Sequence, residues 1–448
     1  MKRHIVLIAL PFSSDEYVPT PLGHASLLAA LQCGHEVEIH QIVCAVCEGM
    51  PFPREKIVHQ IIELAAQLSF EQIDVAIGAF VWNDEQTKVL LTALRGAGFN
   101  GRIILGGPQI SYAGEGLEAI YPEADVFIRG QAESALCDLA RQAGSPEIHG
   151  VHYAGTDDRC EQAECNSHSL PSPWLNGLIP FGTQSSIRWE TQRGCRFHCS
   201  FCQHKQPDFR MPIAALAESR IDQEIALFCS KGVKRISVLD PIFNGNLVHA
   251  KRVLELLIRH GYKGELSLQC RAEMVDDEFL QMAEELEACL EFGLQSIHKR
   301  EYMAIGRPNN MQKVESVLRN VQVRGIKHEV SLIYGLPEQT LESFKQSVDW
   351  CLGIGVPVIK AFPLLLLRGT ELDRTRANWL LSVRDGLLPV VNSSSSFSIQ
   401  EWEKMDRIAN ALSDSERVLS KKSNDLDFFM SNQLTNDSLS MFRALGRV

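Results

Sequence analysis

The sequence predicts an α/β protein with two regions of parallel β-sheet, followed by a small α-rich segment. Three observations support this fold class. Short β-branched runs alternate with helical periodicity along residues 1–145, and the same alternation resumes over residues 185–378. A chain of 448 residues is also long enough to form two or three domains, each with its own hydrophobic core.

The first region contains five predicted strands, and a predicted helix follows each of them. This alternation gives a doubly wound, Rossmann-like parallel sheet, which binds its ligands outside the carboxyl ends of the strands. The strands are expected at His4–Ala9, Glu36–Gln41, Asp74–Phe80, Arg102–Leu105 and Asp125–Ile128. The helices are expected at Gly23–Gln32, Arg54–Leu68, Asp84–Ala97, Gly114–Tyr121 and Glu133–Ala143.

The second region, residues 185–378, predicts a partial (β/α)6 barrel of the TIM type, in which chemistry gathers at the C-terminal ends of the strands. Its strands are expected at Arg188–Thr191, Arg235–Leu239, Glu265–Cys270, Leu290–Leu294, His328–Ile333 and Val358–Pro363. A polar, proline-containing stretch over 146–184 predicts a linker between the two regions. Residues 379–448 predict a C-terminal segment with an amphipathic helix over Ile399–Leu412.

Composition and charge exclude several classes of partner. The net charge of −11 and the pI near 5.7 argue against nucleic acid as a partner. No stretch approaches the ~20 apolar residues that cross a bilayer, and the N-terminus lacks a cleavage site after its short apolar run. We therefore expect a cytoplasmic protein without a membrane partner. Thirteen cysteines in such a chain indicate metal chemistry where they cluster, and buried apolar side chains where they do not.

One cysteine cluster stands out. Cys195, Cys199 and Cys202 lie within ten residues, with Phe201 just before the last of them. Three thiolates this close can hold one soft metal centre, and they leave one of four ligand positions open. A zinc site would need a fourth ligand, and His198 and His204 are near enough in sequence to keep that alternative open. Three unrelated thiols are the remaining possibility.

The spacing C-x3-C-x2-C resembles that of the radical S-adenosylmethionine (SAM) enzymes. The resemblance implies a [4Fe–4S] cluster on the three cysteines, with one open iron that binds SAM and reductively cleaves it. Segments 240–244, 269–271, 291–296 and 331–338 resemble successive barrel motifs of that family. The SAM contacts implied by these motifs are Phe201, Asp240, Asn244, Arg271, Gln295, Ser296 and Gly335. Among them, Arg271 could hold the methionyl carboxylate by a bidentate contact.

The N-terminal region resembles the cobalamin-binding domain that precedes the catalytic domain in many radical SAM enzymes. Segments 21–25, 105–108 and 129–133 carry this resemblance. It implies cobalamin as a further cofactor, with the corrin placed against Trp82, Gly106, Gly107 and Gly130. From the residues alone, Trp82 could equally be a core aromatic, and the glycines could be ordinary turn residues. An Asp-x-His-x-x-Gly motif, which cobalamin domains that replace the lower base carry, does not occur.

These inferences favour a radical SAM enzyme that acts on a small molecule or peptide, with cobalamin-dependent methyl transfer to carbon as its reaction. One alternative is a cobalamin-independent radical dehydratase, epimerase or rearrangement enzyme. Another is a non-catalytic corrinoid or metal sensor or carrier. The resemblance also implies a low-potential electron donor such as flavodoxin or ferredoxin. No cysteine follows Cys351, which argues against an auxiliary cluster in a C-terminal extension. No motif identifies the substrate.

Overall fold

The structure is a computed structural model that divides into two compact units, Met1–Pro180 and Phe181–Val448. It describes residues 3–13, 20–34, 37–47, 49–68, 73–142, 144–181, 186–204 and 213–415. Within these residues, no helix combines the length and apolar character that a bilayer crossing requires.

The N-terminal unit is built on one six-stranded sheet with the order β2-β1-β3-β4-β5-β6. Its strands are β1 Arg3–Ala9, β2 Val37–Val43, β3 Ile73–Gly78, β4 Arg102–Gly106, β5 Val126–Ile128 and β6 Val151–Tyr153. Its helices are α1 Leu22–Gln32, α2 Arg54–Gln67, α3 Asp84–Gly96, α4 Pro108–Ser111, α5 Leu117–Ile120 and α6 Ala132–Arg141. The first five strands are parallel, so the predicted doubly wound sheet is confirmed.

Both faces of this sheet are covered, which explains why its strands are almost continuously apolar. Successive side chains of a strand point to opposite faces. On β1, Val6 and Ile8 pack with α2 and α3, whereas Ile5 and Leu7 pack with α1 and α6. The strand order reverses between β1 and β3, so the loops after these two strands lie at the topological switch point where such sheets bind ligands.

The stretch predicted as a linker contains a strand that the sequence did not indicate. Strand β6 pairs antiparallel with β5, and Ala163 forms an isolated bridge with Gly130. Three residues among polar neighbours are too few to show a period of two, which is why the pattern missed this strand. Residues 182–184 lie outside the described part, and the boundaries 1–145, 146–184, 185–378 and 379–448 remain predictions.

The C-terminal unit contains a second six-stranded sheet, entirely parallel, in the order β14-β13-β12-β11-β10-β7. Its strands are β7 Ser186–Trp189, β10 Arg235–Val238, β11 Glu265–Cys270, β12 Cys289–Gln295, β13 His328–Tyr334 and β14 Ile359–Pro363. Four short strands form two pairs, β8 Gln192–Arg193 with β9 Ala214–Ala215, and β15 Ser382–Val383 with β16 Val391–Ser393. The helices are α7 Glu218–Ser230, α8 Leu247–Arg259, α9 Asp277–Glu285, α10 Lys299–Ala304, α11 Met311–Val323, α12 Leu341–Gly353, α13 Glu371–Arg374 and α14 Ile399–Ser415. The predicted partial barrel is thereby confirmed.

The last described helix, α14, begins where the sequence predicted the amphipathic helix and packs against α12 and β14. Its buried side chains include Trp402 and Met405. The Tyr334 hydroxyl at the end of β13 donates to Asp406 at 2.6 Å, which fixes the helix to the carboxyl end of the sheet. Residues 416–448 of the predicted C-terminal segment lie outside the described part.

Candidate active site

The cysteine loop, residues 190–202, begins directly after β7, and Asp240, which follows β10, anchors its first residues. The Asp240 carboxylate accepts hydrogen bonds from the Thr191 amide at 2.8 Å, the Thr191 hydroxyl at 2.5 Å and the Gln192 amide at 3.2 Å. Its side chain is fully buried. The structure therefore gives Asp240 the contacts of a residue that positions the loop, because its oxygens are already used by backbone and hydroxyl donors.

Burial raises the pKa of Asp240 to about 7. Between about pH 4 and pH 7, the folded protein therefore keeps a proton on Asp240 that the unfolded chain has released. Stability is then expected to fall as pH rises from about 4 to about 7, by roughly 1.4 kcal/mol per pKa unit. Asp240→Asn should remove this slope, since its amide can accept from the Thr191 amide and donate to the Thr191 hydroxyl. That hydroxyl can in turn donate to His249, whose Nε2 lies 3.1 Å away.

Urea unfolding of the apoprotein at pH 5 and pH 8 measures the effect. Relative to the wild type, the free energy of unfolding of Asp240→Asn should be higher at pH 8 than at pH 5. If the difference in free energy of unfolding between the two proteins is the same at both pH values, Asp240 is not protonated in the folded state. A large rise in the KM for SAM would instead support the direct contact that the sequence predicted for Asp240.

A second anchor of the cysteine loop comes from the segment after α10. The Ser200 amide donates to the Ile305 carbonyl at 2.9 Å. Gly306 has a φ of +62°, and a Cβ there would lie 2.9 Å from the His198 carbonyl oxygen. Only a residue without a side chain allows this close approach. On another side, the Leu372 amide donates to the Ser200 carbonyl at 2.9 Å. The loop is thus held by three parts of the chain that are distant in sequence.

The surroundings of the thiols are buried and cationic. Burial raises the pKa of Cys195, and that of Cys202 to about 12, while the Arg307 charge acts in the opposite direction on both. The Arg307 Nη1 lies 3.7 Å from the Cys199 sulfur. A nearby cation favours the thiolate, which is the form in which cysteine binds a metal.

The spacing of the sulfurs argues against a single zinc ion. Zn–S bonds of about 2.3 Å in a tetrahedron place two sulfurs about 3.8 Å apart. Within the part of the chain that the structure describes, the three cysteines do not form a group whose ligand atoms all lie within 4.8 Å of one another. His198 and His204, the two histidines that the zinc alternative offered as a fourth ligand, are both exposed, and among the described residues neither belongs to a group of three such ligands.

Arg307 is a site residue that the sequence did not indicate. It is 6% exposed, and its Nη2 donates to the Gly293 carbonyl at 2.5 Å. Its Nε is buried and has no hydrogen-bond partner among the residues that the structure describes. A buried guanidinium with an unused donor is costly unless a ligand satisfies it. The available signal was weak, because a lone arginine between a glycine and a proline is usually a solvated loop residue.

Gln295 stands beside Arg307 at the end of β12. It has a φ of +70°, and the pairing with β13 shifts register between Gly293 and Gln295. A Cβ on Gly293 would lie 2.9 Å from the Gln295 Nε2 and 3.3 Å from the Arg307 Nη2, so both side chains lie over this glycine. Bulges and left-handed residues often redirect side chains at functional sites.

Arg271 and Asn244 form a second group, at the ends of β11 and β10. The Asn244 side chain exchanges two hydrogen bonds of 2.9 Å with the Arg271 backbone, and is fully buried. The Arg271 guanidinium lies 4.1 Å from the centroid of the Phe197 ring in the cysteine loop. Its Nη2 also donates to the Pro308 carbonyl at 3.0 Å. Arg271 therefore faces the cysteine loop, whereas Asn244 fixes the backbone of Arg271.

Ser296 and Gly335, predicted as SAM contacts, are joined by a buried acid. The Ser296 hydroxyl donates to Glu301 at 2.6 Å, and the Gln339 Nε2 donates to the same carboxylate oxygen at 3.2 Å. The Gln339 Oε1 accepts from the Gly335 amide at 2.7 Å. Glu301 is 1% exposed, and burial raises its pKa. Phe201 is half-buried within the cysteine loop.

The predicted cobalamin contacts lie at the carboxyl end of the N-terminal sheet, at the end of β4 and in the loops after β3, β4 and β5, and Trp82 is the one beside the switch point. The Trp82 Nε1 donates to the Leu10 carbonyl at 3.1 Å, and its ring stacks on Phe80 with centroids 4.6 Å apart. The Asn83 Nδ2 donates to the same Leu10 carbonyl at 3.0 Å. These contacts tie the loop after β3 to the loop after β1. The half-buried Trp82 is thus fixed at this edge.

The glycines at this edge have local reasons to be glycine. Gly107 has a φ of +90°, and a Cβ there would lie 2.7 Å from the Ala79 carbonyl oxygen. Gly130 has a φ of +79°, with the Ala163 carbonyl oxygen 2.5 Å from its Cβ position. At Gly106 the nearest atom is 3.6 Å away, which is ordinary contact. The protein's own backbone therefore accounts for Gly107 and Gly130.

Comparison with known proteins follows the same division of the chain. Residues 189–351 match the radical SAM superfamily, and residues 12–140 match the B12 binding domain. This chain carries a B12-binding domain and a radical SAM domain. A radical SAM domain implies a [4Fe–4S] cluster and SAM, and a B12-binding domain implies cobalamin.

Several relatives and solved structures are similar to this chain. A 2-(S-pantetheinyl)-carbapenam-3-carboxylate methyltransferase of Streptantibioticus cattleyicolor is 23% identical over 318 residues, which cover 65% of this chain and 46% of the relative. An uncharacterized methyltransferase of Pyrococcus horikoshii is 20% identical over 394 residues, covering 83% of this chain and 80% of the relative. The radical SAM methyltransferase TsrM of Kitasatospora setae, solved with cobalamin and a [4Fe–4S] cluster, has a TM-score of 0.66 at 16% identity, covering 90% and 82% of the two chains. This chain spans about half the length of the first of these relatives.

The radical SAM domain fits a cluster and SAM in its donor set. Among the described residues in and around the cysteine loop, the buried polar side-chain atoms without a hydrogen-bond partner include the Arg307 Nε, the Ser200 Oγ and the Gln192 Oε1. In the B12-binding domain, His24 at the start of α1 is buried, and its Nε2 has no partner within the described part of the chain. Burial lowers the pKa of His24 to about 4, so this imidazole is neutral. Each domain thus offers unsatisfied polar atoms that a bound cofactor could pair.

The buried acid of the radical SAM domain provides a test of SAM positioning. Glu301→Ala should raise the KM for SAM, because the Ser296 hydroxyl and the Gln339 amide lose a shared acceptor at a cost of about 1–3 kcal/mol. Glu301→Gln keeps an acceptor and should recover most of the loss. SAM-cleavage kinetics with both variants decide the matter, and Glu315→Ala on the exposed face of α11 is the control. Equal KM values for all four proteins would exclude the role of Glu301.

Proposed function

We propose that this chain is a cobalamin-dependent radical SAM enzyme that transfers a methyl group to a carbon atom of a small molecule or peptide. The observation that carries the proposal is the presence, in one chain, of a B12-binding sheet and a barrel whose three-cysteine loop is lined by Arg271 and Arg307. Relatives that carry the name methyltransferase support the reaction.

In this proposal, Cys195, Cys199 and Cys202 hold the cluster, and Arg307 and Arg271 supply the positive charge beside it. When bound, the cluster delivers the electron that splits SAM, and cobalamin carries the methyl group. Arg307, with its free Nε, is suited to hold the SAM carboxylate, and Gln295 is suited to orient the same end of the molecule.

The remaining assignments are part of the same proposal. Trp82, Gly106, Gly107 and Gly130 stand at the edge of the sheet where a corrin would bind. Asp240 acts through the cysteine loop that it anchors, Asn244 acts through the backbone of Arg271, and Ser296 acts through Glu301. Gly335 and Phe201 would contact the adenosyl part of SAM. A low-potential donor such as flavodoxin or ferredoxin would supply electrons, and we place the protein in the cytoplasm.

The experiment is anaerobic purification after growth with a corrinoid supply, followed by cluster reconstitution. Corrinoid absorbance at one equivalent, together with formation of S-adenosylhomocysteine and 5′-deoxyadenosine, is the expected result. 5′-Deoxyadenosine without corrinoid or S-adenosylhomocysteine would overturn methyl transfer. It would favour the second candidate, a cobalamin-independent dehydratase, epimerase or rearrangement enzyme. The local explanation of Gly107 and Gly130 is the observation that favours this candidate.

The proposed enzyme must also be separated from a non-catalytic corrinoid or metal sensor. Reconstituted protein that holds a full cluster but does not cleave SAM under a strong reductant would support the sensor. Cleavage of SAM, even without a known substrate, would exclude it.

A further inference from the structure

We propose that His4, Glu38 and His40 form a binding site for a Zn²⁺-type divalent cation in the N-terminal unit. Among the described residues, these three have ligand atoms that all lie within 4.8 Å of one another. The proposal is independent of the cluster and of cobalamin, because the site lies at the amino ends of the strands, away from Trp82 and the switch point.

The backbone register brings the three side chains together. Strands β1 and β2 are parallel neighbours, with His4 opposite Glu38 and Val6 opposite His40. Residues 38 and 40 alternate with residues of the other face, so both side chains share the face on which His4 lies. The side chains of His4 and His40 are half-buried and that of Glu38 is exposed, so a cation has access from solvent.

The geometry of the two imidazoles suits a tetrahedral metal. The His4 Nδ1 lies 3.2 Å from the His40 Nε2, and the ring planes are 20° apart. Zn–N bonds of about 2.0–2.1 Å in a tetrahedron place two nitrogens about 3.3 Å apart. Without metal, this contact needs one proton shared between the rings. A divalent cation takes the lone pairs of both facing nitrogens, and the proton of this contact moves to the other nitrogen of its own ring, so a neutral pair binds the cation by a change of tautomer.

The donor set narrows the class of ion. Two imidazoles and one carboxylate suit Zn²⁺, Co²⁺ and Ni²⁺, and they leave one position of a tetrahedron for water. Strand β2 is the edge strand of its sheet, so the ion would join this edge to β1. A ligand that binds only the folded state raises its stability.

The test uses tag-free, full-length protein with its cluster reconstituted, so that the cysteines are occupied. Zn²⁺ is titrated calorimetrically against a competing chelator, and Co²⁺ is followed by absorption. One Zn²⁺ per chain and a Co²⁺ spectrum of nitrogen and oxygen ligands are expected. His40→Ala should weaken binding at least about 100-fold, since even residues that only orient ligands cost about 10- to 100-fold. Glu38→Gln should weaken it about tenfold, and the rise in thermal stability that Zn²⁺ gives the wild type should be absent from His40→Ala.

His59→Ala is the matched control, because His59 is an exposed histidine paired with Glu63 at 3.2 Å on α2, without a third ligand. It should bind Zn²⁺ as the wild type does. Three results would overturn the proposal: unchanged Zn²⁺ affinity in both His40→Ala and Glu38→Gln, a thiolate charge-transfer band with Co²⁺, or an adventitious ion only, lost on desalting. Glu38→Gln keeps the test informative if the edge strand does not tolerate alanine at position 40.

Discussion

Replacing Cys199 with alanine is expected to reduce SAM cleavage to the level of a protein-free control. Cys199 is the most buried of the three thiols and is the one in contact with Arg307. A cluster with two thiolates has lost one of the three ligands that the protein supplies. Iron content and 5′-deoxyadenosine formation after anaerobic reconstitution measure the result.

The control for this variant is Cys229→Ala, which removes a half-buried thiol on α7. It should keep both iron and activity. Cys199→Ser, which preserves the size of the side chain, separates loss of the ligand from loss of packing. Turnover retained by Cys199→Ala would refute the assignment of the cluster to this loop.

Arg307→Ala is expected to have the second largest effect. Its guanidinium combines a contact with the Cys199 sulfur, a hydrogen bond to the Gly293 carbonyl and a free Nε. Hydrogen bonds that involve a charge contribute about 1.5–3 kcal/mol each, so losing the one that would bind SAM should lower kcat/KM about 10- to 150-fold. Cluster content should be retained, because Arg307 is not a ligand of the metal.

The lysine variant separates charge from geometry. Arg307→Lys keeps the charge but not the planar fork, and it should restore only part of the affinity for SAM. Arg319→Ala, which removes an exposed arginine paired with Glu315 at 2.7 Å, is the control and should be silent. SAM-cleavage rates measured over a range of SAM concentrations distinguish the variants. An Arg307→Ala protein with a wild-type KM would show that Arg307 only supports the loop.

Local patterns were sufficient to predict both sheets and the cysteine loop. Strands such as Glu265–Cys270 and His328–Tyr334 stand out because apolar, β-branched runs follow helical periods of ordinary length. The three cysteines lie within eight residues of one another, so their spacing indicates a metal site without any knowledge of the fold. Features of this kind depend on neighbours a few residues away.

Other parts of the site depend on contacts between distant residues and left no local signal. Glu301 and Arg307 look like surface charges in the sequence, and only the fold buries them. Asp240 and Ser296 were predicted to face SAM, whereas the structure gives their oxygens to partners within the protein. Strand β6 is three residues long, and its pairing with β5 cannot be seen as a period. Whether each predicted residue touches a cofactor remains a prediction.

The three supports of the cysteine loop also set an order of assembly. Its amides and carbonyls are paired with Asp240, Ile305 and Leu372, which a ribosome adds well after Cys202. Until residue 372 has been synthesised, one of the three supports is missing. Contacts between residues so far apart in sequence close a long loop, which costs chain entropy. The geometry that holds the three thiols is therefore a property of the folded barrel and not of the cysteine segment alone.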